Sequence, residues 1–399
     1  MNILILTHFL GRGGSSSLCI QVRDVLRKNG HESQILATQK TEDRITEDAI
    51  FLLDEVHRPK KKVIQALLLK IEELAPDLVY SISGTPEMEV LRYLTIPRVR
   101  HFSSLENHDY LDIHHLFDQA NPYFDGVTAN TPDVTKKLKI WAPESEFLTS
   151  TFPYALNESL WPRQSAPQTE RSEKNIQICF IGRLEPYQKR AHWLPEIIKT
   201  LHQSQLPVEW HIYGDGPLKD KIFDEISVMG LKPLVHFHGW LPQAELVKCI
   251  SSHDLFFLCS QWEGLPIAMV EAMLSGQACL VPDTCAGAEY ALDSGGGWLY
   301  RANTPQACAD KLTEIVSSPQ LIHKQKRIAP SIARYKFLGE TPTIQTQGFL
   351  KMLSTVSYNG NSDTLDNYRQ FTNLPMLRDF RKKLLVAKNI IASIFYSTK

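Results

Sequence analysis

None of the seven cysteines is spaced as CxxC or CxxxC, so neither a disulfide framework nor a zinc ribbon is expected, and a reducing cytoplasm suits the chain. An excess of charge is lacking too. Lys and Arg number 43 against 44 Asp and Glu, a formal net charge of −1 that gives no overall pull toward nucleic acid. No run of about 18 apolar residues occurs, so no membrane span is expected. The opening MNILILTHFLGRGG has neither a basic segment before its apolar run nor a long apolar core, and is not read as a signal peptide. No Asp-x-Asp triplet is present to hold a metal on a diphosphate. What remains is a chain of 399 residues, 43% hydrophobic and 22% charged, the balance of a soluble globular protein with enough length for two cores.

Short apolar runs alternate with helical patterns. Strands are expected at Asn2–His8, Glu32–Ala37, Asp77–Ser81, Arg98–Phe102 and Gly126–Ala129, with helices around Ser17–Lys28 and Lys61–Leu74. A polar segment, Trp161–Lys174 (WPRQSAPQTERSEK), is the expected domain boundary. The alternation then restarts, with strands at Ile176–Ile181, Val208–Tyr213, Val235–His238, Leu255–Leu258 and Ala278–Val281. Between them fall helices at Ala191–His202, Leu218–Met229, Gln243–Ser251 and Pro266–Ser275. The organisation is therefore α/β, with units at 1–160 and 175–340 and a helical segment and tail at 341–399. Two open α/β units place a ligand cleft at the carboxyl ends of their strands.

Several turns between these elements carry chemistry. Gly11-Arg12-Gly13-Gly14-Ser15 joins a strand to a helix, where glycines let an anion approach free N–H groups; a plain tight turn reads equally well. Gly182-Arg183-Leu184 with Lys189 supplies two cations past a strand end, suited to a diphosphate or simply solvated. Asp215 in Gly214-Asp215-Gly216-Pro217 is expected to cap the following helix. His236 and His238 alternate toward one face of a strand, but no third ligand is near in sequence and no metal is expected there. In WEGLPIAMVEAMLSG, Pro266 suits a helix start and Gly276 a helix end. Glu263 and Gly264 then stand in the approach loop, Leu265, Ile267 and Ala268 offer N–H groups, and Glu271 lies just over a turn into the helix. Carboxylates for hydroxyls beside N–H groups for phosphates make a nucleotide-sugar grip, although two polar residues on an ordinary helix have the same spacing.

Glu263 to Glu271 resembles the E-x7-E motif of glycosyltransferase family 4, retaining enzymes of the GT-B fold. The early Gly-Gly turn, Gly182-Arg183-Leu184 with Lys189, Tyr213-Gly214-Asp215-Gly216-Pro217, His238-Gly239 and Gly287-Ala288-Glu289 follow in the family's order. The similarity is strong from about Ile176 to Leu299 and looser before it. It implies two Rossmann-like domains facing across a cleft, and transfer of a hexosyl group from a UDP- or GDP-type nucleotide-sugar donor. The acceptor would be a glycan or a lipid-linked sugar in cell-surface glycan synthesis, with no metal and no cofactor. Carried over, Arg183 and Lys189 bind the donor diphosphate, Glu271 the ribose hydroxyls and Glu263 the hydroxyls of the reacting sugar. Gly13 and Gly14 face the diphosphate, Gly239 and Leu241 flank the base, and Gly264, Leu265 and Ile267 complete the donor site. A reaction-centre histidine is assigned to His101, with His108-Asp109 as the rival. A GT-B nucleotide-sugar epimerase and a catalytically silent nucleotide-sugar-binding subunit are the alternatives. Finally, the stretch from Met376, with Arg378, Arg381, Lys382, Lys383 and Lys388, reads as a basic amphipathic helix. It would give peripheral contact with the inner face of the cell membrane, unless it packs on the protein.

Overall fold

Apolar runs too short for helices, bounded by turn residues, become the buried strands of two parallel sheets. The computed structural model describes residues 1–11, 14–39, 49–53, 59–82, 85–102, 124–141, 148–154, 156, 158–161 and 175–356. The described backbone groups into two compact units, 1–99 and 100–356.

The first sheet comprises β1 (Asn2–Phe9), β2 (Glu32–Gln39), β3 (Ala49–Leu53), β4 (Leu78–Ser81), β5 (Arg98–Phe102), β6 (Gly126–Ala129) and β7 (Leu148–Thr151), in the order β3-β2-β1-β4-β5-β6-β7. β3 and β7 were not expected from the sequence, and both are edge strands. AIFLL has no alternation, and LTST carries too little apolar content to stand out. The second sheet comprises β8 (Ile176–Ile181), β9 (Val208–Tyr213), β10 (Val235–Gly239), β11 (Leu255–Phe257), β12 (Ala278–Pro282) and β13 (Gly297–Tyr300), ordered β10-β9-β8-β11-β12-β13.

Numbered within itself, each sheet begins 3-2-1-4-5-6, the doubly wound order whose reversal point opens a crevice outside the strands' carboxyl ends. In the second sheet that point lies between β8 and β11. Its central strands, β8, β11 and β12, are buried almost throughout. The helix Leu194–Gln203 buries Leu194, Ile197, Ile198 and Leu201 at helical spacing, and each such side chain contributes about 1.5–3 kcal/mol on burial. The expected helix Ala191–His202 differs in detail. Ala191–Trp193 is a 3-10 turn before the α-helix begins at Leu194, and Arg190, in left-handed backbone at φ 49°, sets its entry. The basic stretch from Met376 lies outside the described residues. Among the described residues no helix is long and apolar enough to cross a membrane.

Candidate functional site

Three turns at the carboxyl ends of the second sheet's strands are fastened to one another. Gly182, after β8, donates its N–H to Tyr213 O, and Gly214, after β9, donates to Gly239 O at 2.8 Å. Leu184 N–H binds Asp215 O, and Leu218 N–H binds Leu184 O. Gly214 has φ 144°, and a Cβ there would fall 1.9 Å from Gly182 O; only glycine fits both the backbone and the space. Asp215 does not cap the next helix. That helix, Lys219–Val228, starts after Leu218, too far on for the side chain, and Asp215 Oδ1 instead accepts from Gly216 N at 2.8 Å.

These turns present Arg183 and Lys189. Arg183 is exposed, and its guanidinium donates to Gln188 Oε1 at 3.0 Å. The loop between them is tied by Glu185, whose carboxylate accepts from the backbone N–H of Tyr187 and of Lys189. Lys189 Nζ lies 2.6 Å from Glu263 Oε1. Ser260 Oγ donates to the same oxygen at 2.7 Å, and Gln188 Nε2 donates to Oε2 at 3.3 Å. Glu263 is therefore a buried carboxylate with a cation and two neutral donors, an arrangement that satisfies its charge inside the protein. Lys189 keeps two further N–H bonds for another acceptor.

The Glu263 loop is braced by Gly287-Ala288-Glu289. Ala286 N–H binds Glu263 O, Gly287 N–H binds Gly264 O, and a Cβ on Gly287 would press on Leu265 Cβ at 3.1 Å. The helix Ile267–Leu274 follows, with Pro266 as its cap and Gly276 in left-handed backbone just past its end. Its first N–H groups, those of Ile267 and Ala268, have no acceptor within the helix and open toward an anion. Glu271 is not on a solvent face. It is buried, its Oε1 accepts from Gln243 Nε2 at 2.6 Å, and burial pushes its carboxyl up to about 7, with Gln243 pulling the other way.

The expected donor residues thus converge in part. Arg183, Lys189 and Glu263 form one connected group, with Gly264, Leu265 and Ile267 on the loop and helix start beside it. Gly239, at φ 70°, has open space where a side chain would be; Leu241 is half-buried just after it. Gly14 opens the helix Gly14–Lys28, while Gly13 and His108 lie outside the described residues. His101 is fully buried on β5. Its Nδ1 meets Thr128 Oγ1 and its Nε2 meets Asn130 Oδ1, both at 2.9 Å, and burial lowers its pKa to about 3. Those contacts hold a neutral ring within the first sheet and do not join it to the Lys189–Glu263 group. Gln188, Ser260, Gln243 and Glu185 complete the site and were not anticipated. Only their adjacency to motif residues could have pointed to them. Strand pairing also brings Glu209 and His211 of β9 beside His236.

Residues 163–331, less than half of the chain, match a family model. That model describes glycosyl transferases group 1. Over 158 residues the chain is 30% identical to the poly(ribitol-phosphate) alpha-N-acetylglucosaminyltransferase of Staphylococcus aureus, covering 39% of this chain and 31% of that protein. Over 107 residues it is 31% identical to the UDP-Gal:alpha-D-GlcNAc-diphosphoundecaprenol alpha-1,3-galactosyltransferase of Escherichia coli, covering 26% of this chain and 27% of that one. The matched stretch thus spans about a third or less of these curated relatives. Among solved structures, Anabaena HepE in complex with UDP and glucose superposes with a TM-score of 0.66 at 18% identity, covering 89% of this chain and all of that chain. The fold is GT-B.

Proposed function

We propose that the protein is a retaining glycosyltransferase that moves a hexosyl group from a UDP- or GDP-type nucleotide sugar to a glycan or lipid-linked acceptor in cell-surface glycan synthesis. The observation that carries this reading is the Lys189–Glu263 pair, 2.6 Å apart, set between Arg183 and the start of the helix Ile267–Leu274. The names of the relatives, glycan glycosyltransferases including one that takes UDP-Gal, support the substrate class.

In this reading residues 175–340 hold the donor and residues 1–160 select the acceptor. Arg183, the remaining N–H bonds of Lys189 and the helix-start amides take the diphosphate oxygens. Glu271 accepts from ribose hydroxyls, and Glu263 accepts from hydroxyls of the sugar. As the bond between the anomeric carbon and the diphosphate oxygen breaks, charge grows on the leaving phosphate where the two cations already stand, a preorganised electrostatic stabilisation. The acceptor oxygen bonds to the anomeric carbon on the face the phosphate leaves, and its proton passes to that phosphate. With Arg183, Lys189 and the helix-start amides taking the diphosphate oxygens, turnover is expected to persist with a chelator present and without a cofactor.

Incubation with a panel of UDP- and GDP-sugars, with and without glycan acceptors, tests the reading by NMR of the products. It predicts acceptor-dependent donor consumption with the anomeric configuration kept. Inverted product, donor isomerised without acceptor, or no turnover across the panel would overturn it.

A further inference from the structure

The second sheet carries a polar patch along β9 and β10. Along β9, Glu209, His211 and Tyr213 alternate toward one face, as strand geometry requires. In the parallel pairing His211 stands opposite His236 of β10, and β10 is the edge of the sheet. The rings of His211 and His236 stack at 4.8 Å, and those of His211 and His238 at 5.2 Å. Four imidazoles gather here, because His253 stacks on His211 at 4.2 Å.

We propose that Glu209, His211 and His236 form a binding site for a divalent transition-metal ion of the zinc class. One ligand atom from each lies within 4.8 Å of the others, and His236 Nε2 is 3.7 Å from Glu209 Oε2. Tetrahedral zinc with arms of about 2.0–2.2 Å sets its ligand atoms about 3.4 Å apart, so closure takes a shift of about an ångström. His236 can supply that shift, since its side chain is 45% exposed at the sheet edge. Two imidazoles and a carboxylate favour zinc over magnesium or calcium, which take oxygen ligands.

The surroundings are those a ligand set needs. Glu209 is held in place by Asn175 at 2.8 Å and Gln177 at 3.2 Å. Both nitrogens of His211 are engaged, Nδ1 with His238 Nε2 at 3.0 Å and Nε2 with Gln177 Oε1 at 2.6 Å. Whichever nitrogen binds the ion, the other keeps a hydrogen-bond partner to orient the ring. Three protein ligands leave a fourth position to water, and the ion joins the edge strand to its neighbour.

Tag-free full-length protein, freed of metal by chelator dialysis, is titrated with Zn2+ by calorimetry and with Co2+ by visible absorption. His236→Ala and Glu209→Gln are titrated alongside. One equivalent should bind, with the Co2+ spectrum of a low-coordinate site and a rise in melting temperature with Zn2+. Each substitution should weaken binding at least about tenfold while leaving metal-free melting and UDP binding unchanged. Zinc uptake with the same affinity in His236→Ala as in the wild type, or no uptake by the wild type, would overturn the proposal.

Discussion

The two sheets share a strand order and differ in how their carboxyl ends are built. In the second, Gly182, Gly214 and Gly239 are joined by backbone hydrogen bonds, and the motif turns present Lys189 to Glu263. In the first, the corresponding Arg12-Gly13 turn and residues 103–123 lie outside the described residues. What is described there is closed by side chains from separate segments. His8 Nδ1 lies 3.2 Å from Glu87 Oε1, Thr38 Oγ1 donates to the same oxygen, and Ser81 Oγ donates to Glu87 O. Glu87 is fully buried, and its hydrogen bond raises the pKa of His8. Where a site rests on backbone conformations that only glycine adopts, contiguous residues spell it out. Where it rests on side chains dozens of positions apart, nothing local does.

The comparison breaks most visibly at Gly214. Gly214→Ala puts a Cβ against Gly182 O in backbone that L-residues avoid, and should cost at least about 3–4 kcal/mol, read as a large fall in melting temperature and loss of donor turnover. A variant as stable as wild type would show that the turns do not depend on each other.

Next in size is Lys189→Ala. It leaves Glu263 buried with only neutral partners, and should cost about 2–4 kcal/mol and roughly ten- to a thousandfold in turnover. Adding Glu263→Gln should restore much of the stability without restoring turnover. Recovery of both would make the pair a packing device.

Glu271→Gln gives a smaller, pH-dependent effect. The folded carboxyl titrates near 7 against 4.5 unperturbed, so the native state holds its proton longer than the unfolded chain. Stability from this group is therefore greatest below pH 4.5, falls as pH rises toward about 7, and is level above. The glutamine variant should gain on wild type across that window, by about 1–3 kcal/mol at pH 8, in parallel denaturation series. A constant difference across pH would place the carboxyl in water. Least of all, Gly14→Ala in the first sheet's helix meets no atom within 4 Å and should shift stability by under about 1 kcal/mol. Turnover lost without stability would then support the diphosphate role given to Gly14.

Most of the second sheet was legible because its strands are apolar runs bounded by glycine turns; IQICFI became β8 residue for residue. Legible too was the loop and helix from Glu263, with Pro266 at its start and Gly276 beyond its end. The burial of Glu271 was not, since its neighbour Gln243 comes from another helix. Strand register, which no single segment encodes, hid the Glu209–His211–His236 group. The surroundings of His101 were hidden too, because a lone histidine near a strand end gives no sign of the Thr128 and Asn130 side chains that clamp it.

The central claim is that Arg183 and Lys189 hold the diphosphate of a nucleotide sugar. Calorimetric titration of UDP and GDP into wild type, Arg183→Ala and Lys189→Ala, each checked for folding by its melting curve, tests it most directly. The account predicts that one of the two nucleotides binds wild type and that each substitution weakens it about tenfold or more, with Arg183→Ala melting like wild type. Equal affinity in all three proteins, or no binding of either nucleotide by the wild type, would contradict it.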